Sequence, residues 1–205
     1  MMKIPAHRRL RTLPEVFTTA TLAAQLNGDT KAASVYLARW RREGLIAPLG
    51  PRAGVHFNLV RDPDAETNYR AEAIAYVLPG AVVAGASALH AAGWITQIPA
   101  ALEIMVPGRA STPEIHGVIS DTRPVTWFIL ARQHLQRPGP LPLLAPSFAL
   151  ADLCGSGGWC PDPDDLEWDL VDEERLRAAF SELDVPLPEA WDAELSGQGG
   201  DFTIS

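Results

Sequence analysis

An α+β fold in two parts is what this sequence predicts, on three observations. The first is a split in charge. Residues 1–61 hold ten bases against three acids, a net of +7, while residues 62–205 hold seven bases against 22 acids, a net of −15, so the formal −8 of the 205-residue chain hides a basic head on an acidic body. Such asymmetry suggests a nucleic-acid-binding module joined to something else. The second is an N-terminal order of helix, tight turn, helix and two short strands. The third is that helical and strand patterns alternate beyond residue 67 with no internal repeat.

The N-terminal elements follow from local chemistry. Thr19 can cap a short helix over 20–26, in which Leu22, Ala23 and Leu26 fall at helical spacing. "NGD" then forces a turn, and Asp29 or Thr30 caps a second helix that runs to about residue 43 and stops at Gly44. "LIAPL" and "VHFNLV" read as strands joined by "GPRAG". This is the winged helix-turn-helix order, and residues 1–62 form the expected DNA-binding domain.

Sidedness sharpens that reading. At about 100° per residue, Ala33, Leu37 and Trp40 share a face with Tyr36 at its edge, and they pack on the first helix. Lys31, Ser34, Val35, Ala38 and Arg42 fall opposite. Small and hydroxylated residues let a helix approach base edges while cations meet phosphates. The candidate DNA-binding residues are therefore Thr30, Lys31, Ser34, Val35, Ala38, Arg39 and Arg42 on the second helix, Arg52 at the hairpin tip, and Arg8, Arg9 and Arg11 in the leading segment. A basic helical face can also be a solvated surface, and winged helices also bind proteins. The added phosphate partners favour double-stranded DNA, because counterion release rewards each phosphate neutralised.

The crossing "RDPDAETNYR" marks a boundary, and residues 67–205 form the expected C-terminal α+β domain with a small mixed sheet and an acidic tail. An apolar helix is expected over 68–78 and another over 85–92. "ALEIMVP", "HGVIS" and "VTWFIL" read as three strands, rich in Val, Ile and Trp and separated by Gly, Pro and polar residues. "APSFALADL" is a helix opened by Pro146 and Ser147, and "VDEERLRAAFSELD" a long acidic one.

No catalytic, cofactor or metal constellation is expected. Ser87 and His90 lie three apart on one helix face, but no acid has a clear claim to orient the imidazole, and "SALHAAGW" reads as a small-residue helix packed on a sheet. His116, His134, Asp121 and Asp152 are scattered. "CPDPDDLEWDLVDEE" lacks the glycine and final glutamate of a calcium loop and reads as a solvated acidic face. Cys154 and Cys160 bracket "GSGGW" without a nearby His or a second pair, so they are expected as plain thiols near a flexible loop, with a disulfide or a redox role as the alternatives. The longest mostly apolar run is about fifteen residues, short of a bilayer span, and the expected location is the cytoplasm.

The stretch "VVAGASALHAAGWITQIPAALEIMVPG" resembles the AbiE-type antitoxins of type IV toxin–antitoxin systems. In that family a winged-helix domain is followed by a Ser-Ala-Leu core, here Ser87, Ala88 and Leu89, then a glycine, Gly93, a turn, Gln97, Ile98 and Pro99, and a strand over 102–106. "APSFALADL" is similar to the family's Pro-Glu-Arg segment at Pro146, Leu150 and Asp152, while Ser147 and Phe148 replace the charged pair. The similarity covers about residues 17–155. It implies an autorepressor that binds inverted repeats in its own promoter, with a possible dimer on DNA, and a C-terminal domain that counteracts a co-encoded nucleotidyltransferase-like toxin without a stable complex. The alternative is a plain winged-helix regulator whose second domain binds a ligand or dimerises.

Overall fold

The computed structural model describes residues 6–108, 112–137, 139–157, 159–191 and 194–195. The chain is α+β, with helices around two small sheets, and divides into two compact units. The first comprises residues up to 81 together with 112–118. The second comprises residues 82–108 and the chain from 119 onward.

In the first unit, α1 (Ala6–Leu10) leads into β1 (Val16–Thr18), α2 (Thr19–Gln25), α3 (Thr30–Arg42), β2 (Ile46–Pro48) and β3 (Val55–Asn58). The sheet order is β1-β3-β2, both pairings antiparallel. The sequence pattern did not supply α1 or β1, and the cap of α2 is Thr18 rather than Thr19. The Thr18 hydroxyl accepts from the Thr21 amide at 3.0 Å, while the Thr18 amide donates back to the Thr21 hydroxyl. Leu10, Leu13, Phe17, Leu22, Ala33, Leu37, Trp40 and Ile46 make the core. Buried Asn58 ties the leading segment to it, its amide nitrogen donating to the carbonyls of Leu10, Leu13 and Pro14 at 2.8–3.3 Å. Two further helices, α4 (Ala65–Asn68) and α5 (Arg70–Val77), belong to this unit.

The second unit holds β4 (Val82–Val83), α6 (Gly85–Ala91), β5 (Leu102–Pro107), β6 (Val118–Arg123, all but its first residue), α7 (Val125–Ala131), β7 (Leu135–Arg137), β8 (Leu143–Leu144), α8 (Pro146–Gly155) and α9 (Glu173–Glu182). Its five strands run in the order β6-β5-β4-β8-β7, and the sheet is mixed: β4 is antiparallel to β5 and parallel to β8. Helix α8 packs between α6 and α9, which is why its residues from Pro146 to Asp152 are all buried.

Two further expectations are corrected. "VTWFIL" is a helix, not a strand. Its β-branched and aromatic content favours strands, but Pro124 stands in extended backbone as its cap, and burial recurs at Trp127 and Ala131 with exposure at Val125 and Ile129, a spacing of four. Trp127 Nε1 also donates to Asp152 Oδ1 at 2.7 Å, a buried bond that sets the helix against α8. The second correction is that Cys154 and Cys160 form a disulfide rather than plain thiols. The glycine-rich chain after α8 turns back far enough to bring the two Cα atoms to 4.7 Å, within the range a disulfide spans.

Candidate nucleic-acid interface

Helix α3 presents its outer face because its inner face is committed. Asn27 and Gly28, both at positive φ, turn the chain after α2, and Asp29 caps α3 by accepting the Ala32 amide at 2.8 Å. The helix ends at Gly44, whose φ of +65° follows the Glu43 cap in the manner that favours glycine. Ala33, Leu37 and Trp40 are buried, as their spacing predicts. Thr30, Lys31, Ser34, Val35, Ala38, Arg39, Arg41 and Arg42 are exposed, Val35 at 70%.

The cations on this surface fall into two groups. Arg9 and Arg39 bracket the Tyr36 ring, with guanidinium carbons 4.9 and 5.5 Å from its centroid, and Arg39 also lies 3.5 Å from Glu43. Their charge is partly occupied on that flank. Lys31, Arg41, Arg42 and Arg52 make no ion pair among the described residues, and Arg8 and Arg11 are likewise exposed and without one. Arg52 stands exposed in the turn between β2 and β3.

Between α3 and that hairpin lies a cleft of about 340 Å³, walled by Ser34, Ala38 and Arg41 from the helix, Arg52 from the turn, Thr19 from α2 and His56 from β3. Helical periodicity put Ser34 and Ala38 among the candidates, and the "GPRAG" turn put Arg52 there, but neither found Arg41, His56 or Thr19. Arg41 sits on the flank of α3 rather than its outermost line. Only the packing of the hairpin along that flank, a tertiary fact, makes it part of a site.

His56 is buried at the cleft wall, with Nε2 3.4 Å from the Thr19 hydroxyl and Nδ1 without a hydrogen-bond partner. Burial, helped by the charge of Arg41, pushes its pKa from 6.5 down to about 4, so the imidazole is neutral near pH 7. The hairpin itself is braced by residues 112–118. His116 donates its amide to the Leu49 carbonyl at 3.1 Å, and the Glu114 carbonyl passes so close to Gly50 that a Cβ there would lie 2.0 Å from it.

The polar residues singled out further along the chain are not brought together. The Ser87 hydroxyl accepts the Glu103 amide at 2.9 Å and faces the Ala101 carbonyl at 3.4 Å, which fastens α6 to β5, while His90 is exposed. Asp152 receives both Nε and Nη2 of Arg123 at 3.0 Å in addition to Trp127. Asp121 also accepts from Arg123. Burial of the Asp121 carboxyl opposes ionisation, but that hydrogen bond and the Thr122 amide outweigh it and hold the pKa below the ordinary value. His134 pairs with Glu182 at 2.7 Å and stacks on Phe148, and the His116 carbonyl accepts from Arg70. No group of His, Cys, Asp and Glu among the described residues could hold a metal ion. In the acidic run, Asp162, Asp164, Asp165, Glu167, Asp169 and Asp172 face solvent around buried Leu166 and Val171. A separate cleft of about 390 Å³ in the second unit is lined by Ile95, Gln97, Ile98, Pro99, Glu103 and Trp159, among others. No described helix is long and apolar enough to cross a membrane.

No family model and no curated protein matches the chain. Among solved structures it is similar to the RV2827C protein from Mycobacterium tuberculosis, at 21% identity and a TM-score of 0.53, over 97% of this chain and 79% of that one. At that identity the likeness concerns the fold alone.

Proposed function

We propose that this chain is a DNA-binding transcriptional repressor of the antitoxin type, whose first unit is a winged helix-turn-helix with α3 as recognition helix and the β2–β3 hairpin as wing. The observation that carries the reading is the surface of α3. Small and apolar side chains, Val35 and Ala38, sit exposed between Lys31 and Arg42, next to a turn bearing Arg52, and none of these cations has a carboxylate partner among the described residues. A single exposed valine is ordinary on a solvated helix, and what supports a groove is its place among unpaired cations beside the Arg52 turn. A helix entering a major groove uses both, the apolar group against a thymine methyl and the cations on phosphates.

The antitoxin part rests on the resemblance to the AbiE-type family, carried chiefly by residues 82–108. The residues that carry it form a connected piece of the second unit: Ser87 fastens α6 to β5, and Gln97, Ile98 and Pro99 line the cleft beside them. The protein then binds inverted repeats in its own promoter, as a dimer on paired half-sites, and counteracts a nucleotidyltransferase-like toxin. The test is a gel shift of the full chain with its own upstream region, beside the Lys31→Ala/Ser34→Ala/Arg42→Ala variant. A retarded band that weakens in the triple variant supports the groove assignment, and equal affinity for both proteins sinks it. Co-expression with the product of the adjacent reading frame tests the antitoxin role.

The 390 Å³ cleft favours a second reading, a winged-helix regulator whose second unit binds a small, largely apolar ligand. A compound that releases the protein from DNA, with loss of that response in Ile98→Glu, would select it over the antitoxin.

A further inference from the structure

The cleft between α3 and the hairpin has a chemistry that base readout does not use. Its walls offer two guanidinium groups, Arg41 and Arg52, from two different elements. Neither makes an ion pair among the described residues. Two hydroxyls stand beside them, and they differ. The Ser34 Oγ donates its proton to the Thr30 carbonyl at 3.0 Å, so it offers an incoming anion only lone pairs. Thr19 Oγ1 faces His56 Nε2, and its proton is available once that nitrogen carries the hydrogen of their contact.

Resting on the reading of the first unit as a DNA binder, we propose that this cleft seats one phosphate of the DNA backbone, held by Arg41 and Arg52 and by a hydrogen bond from Thr19 that His56 positions. With helix and wing on the same duplex, the strand that separates their two grooves passes between them, and its phosphate is the group this cleft meets. His56 acts through Thr19 and does not touch the phosphate, since its free nitrogen is buried. For Thr19 to turn its proton toward the anion, His56 must donate from Nε2. That selects the Nε2–H tautomer and leaves Nδ1 as the unpartnered lone pair, a smaller loss than an unpartnered donor.

The anion also offsets the charge of Arg41, which helps to keep the imidazole neutral, so proton uptake at His56 becomes easier when the cleft is filled. The groups facing His56 are Arg41 from α3, Arg52 from the turn and the uncharged Thr19 from α2, with the Phe17 ring 5.5 Å away on β1. The segment that passes Gly50 also carries two exposed ionisable side chains, Glu114 and His116.

The experiment uses the full chain with its ring nitrogens observed by NMR, titrated with inorganic phosphate against chloride at matched ionic strength, and separately with duplex from the upstream region. The His56 resonances should move to the Nε2–H tautomer, with an upward shift in pKa, in both titrations for the native protein. They should stay still in Arg41→Ala/Arg52→Ala. In gel shifts, Arg41→Ala should lower the slope of log affinity against log salt by about 0.9, one phosphate's share. Arg41→Lys should restore most of it, and Arg175→Ala, an exposed change in the second unit, should leave it alone. A duplex that binds with His56 unmoved and the Arg41→Ala slope unchanged overturns the phosphate seat while the DNA reading stands. A chain that binds no duplex overturns the DNA reading. A response to inorganic phosphate alone then assigns the cleft to a free phosphate or a phosphorylated small molecule, against the proposal.

Discussion

Ser34 shows how a single hydrogen bond narrows a recognition hypothesis. Because its hydroxyl proton is held by the Thr30 carbonyl, it can meet a base edge only as an acceptor, and the exocyclic amino groups of cytosine and adenine are the donors available in a major groove. We expect Ser34→Ala to lose about 1–3 kcal/mol of discrimination at one base pair, measured over a panel of operator variants, with little change on random duplex. His56 yields a prediction of a different kind. Its pKa of about 4 in the folded chain lies below the unfolded value of 6.5, so the unfolded state takes up the proton first as pH falls. The stability contributed by the neutral ring is therefore complete above about pH 6.5 and is lost between there and about pH 4, on the order of 3 kcal/mol. Denaturant titrations of the native chain and His56→Gln should converge over that window, and parallel curves would show that the ring does not titrate as its burial requires. The exposure of Val35 and Lys31 was legible from helical angles alone. His56 was not, because burial of a histidine in a strand of four residues depends on what covers both faces.

Among the elements, the hairpin was readable from "GPRAG" between two apolar runs, and the structure adds what holds it: β1 pairs with β3 on the side away from β2, and residues 112–118 lie along Leu49 and Gly50. Three residues, Val16 to Thr18, are too few to announce β1 by alternation. The expected consequence of that bracing is that Arg52→Glu folds as the native chain does, with an unchanged thermal melting curve, but binds operator more weakly and leaves a narrower nuclease footprint. An unaltered footprint would remove the hairpin from the interface. Helix α7 is the instructive failure. Its residues favour strands by composition, and only the four-residue spacing of Trp127 with Ala131, and the pull of Asp152 on the indole, decide for a helix. Tertiary contacts of that kind lie 25 residues apart in sequence and leave no local trace.

For the molecule as a whole, the division of charge was the most legible property, since it needs only counting. The −15 carried beyond residue 61 is repelled by any duplex, and the exposed carboxylates of the run 162–174 are its densest part. Repulsion of this sort penalises random sequence and operator alike, so it trims non-specific occupancy without supplying contacts. Replacing Asp164, Asp165 and Glu174 by their amides should raise affinity for random duplex several-fold at low salt and hardly at all near 1 M, where the screening length is about 3 Å. An affinity that ignores these changes at low salt would mean the tail stays far from the DNA. The α+β class and most helices were likewise legible. The small mixed sheet was expected too, but its strand order was not legible, because two of its strands are two residues long.

The membership of residues 112–118 in the first unit also has a bearing on synthesis. The chain leaves that unit after Ala81 and supplies its last piece more than thirty residues later. At about 5–20 residues per second, a ribosome needs roughly two to seven seconds to bridge the gap. Throughout that interval the Leu49 carbonyl and the bare backbone at Gly50 wait uncovered on the nascent chain, so the turn that bears Arg52 matures only after much of the next unit's first strands has been made.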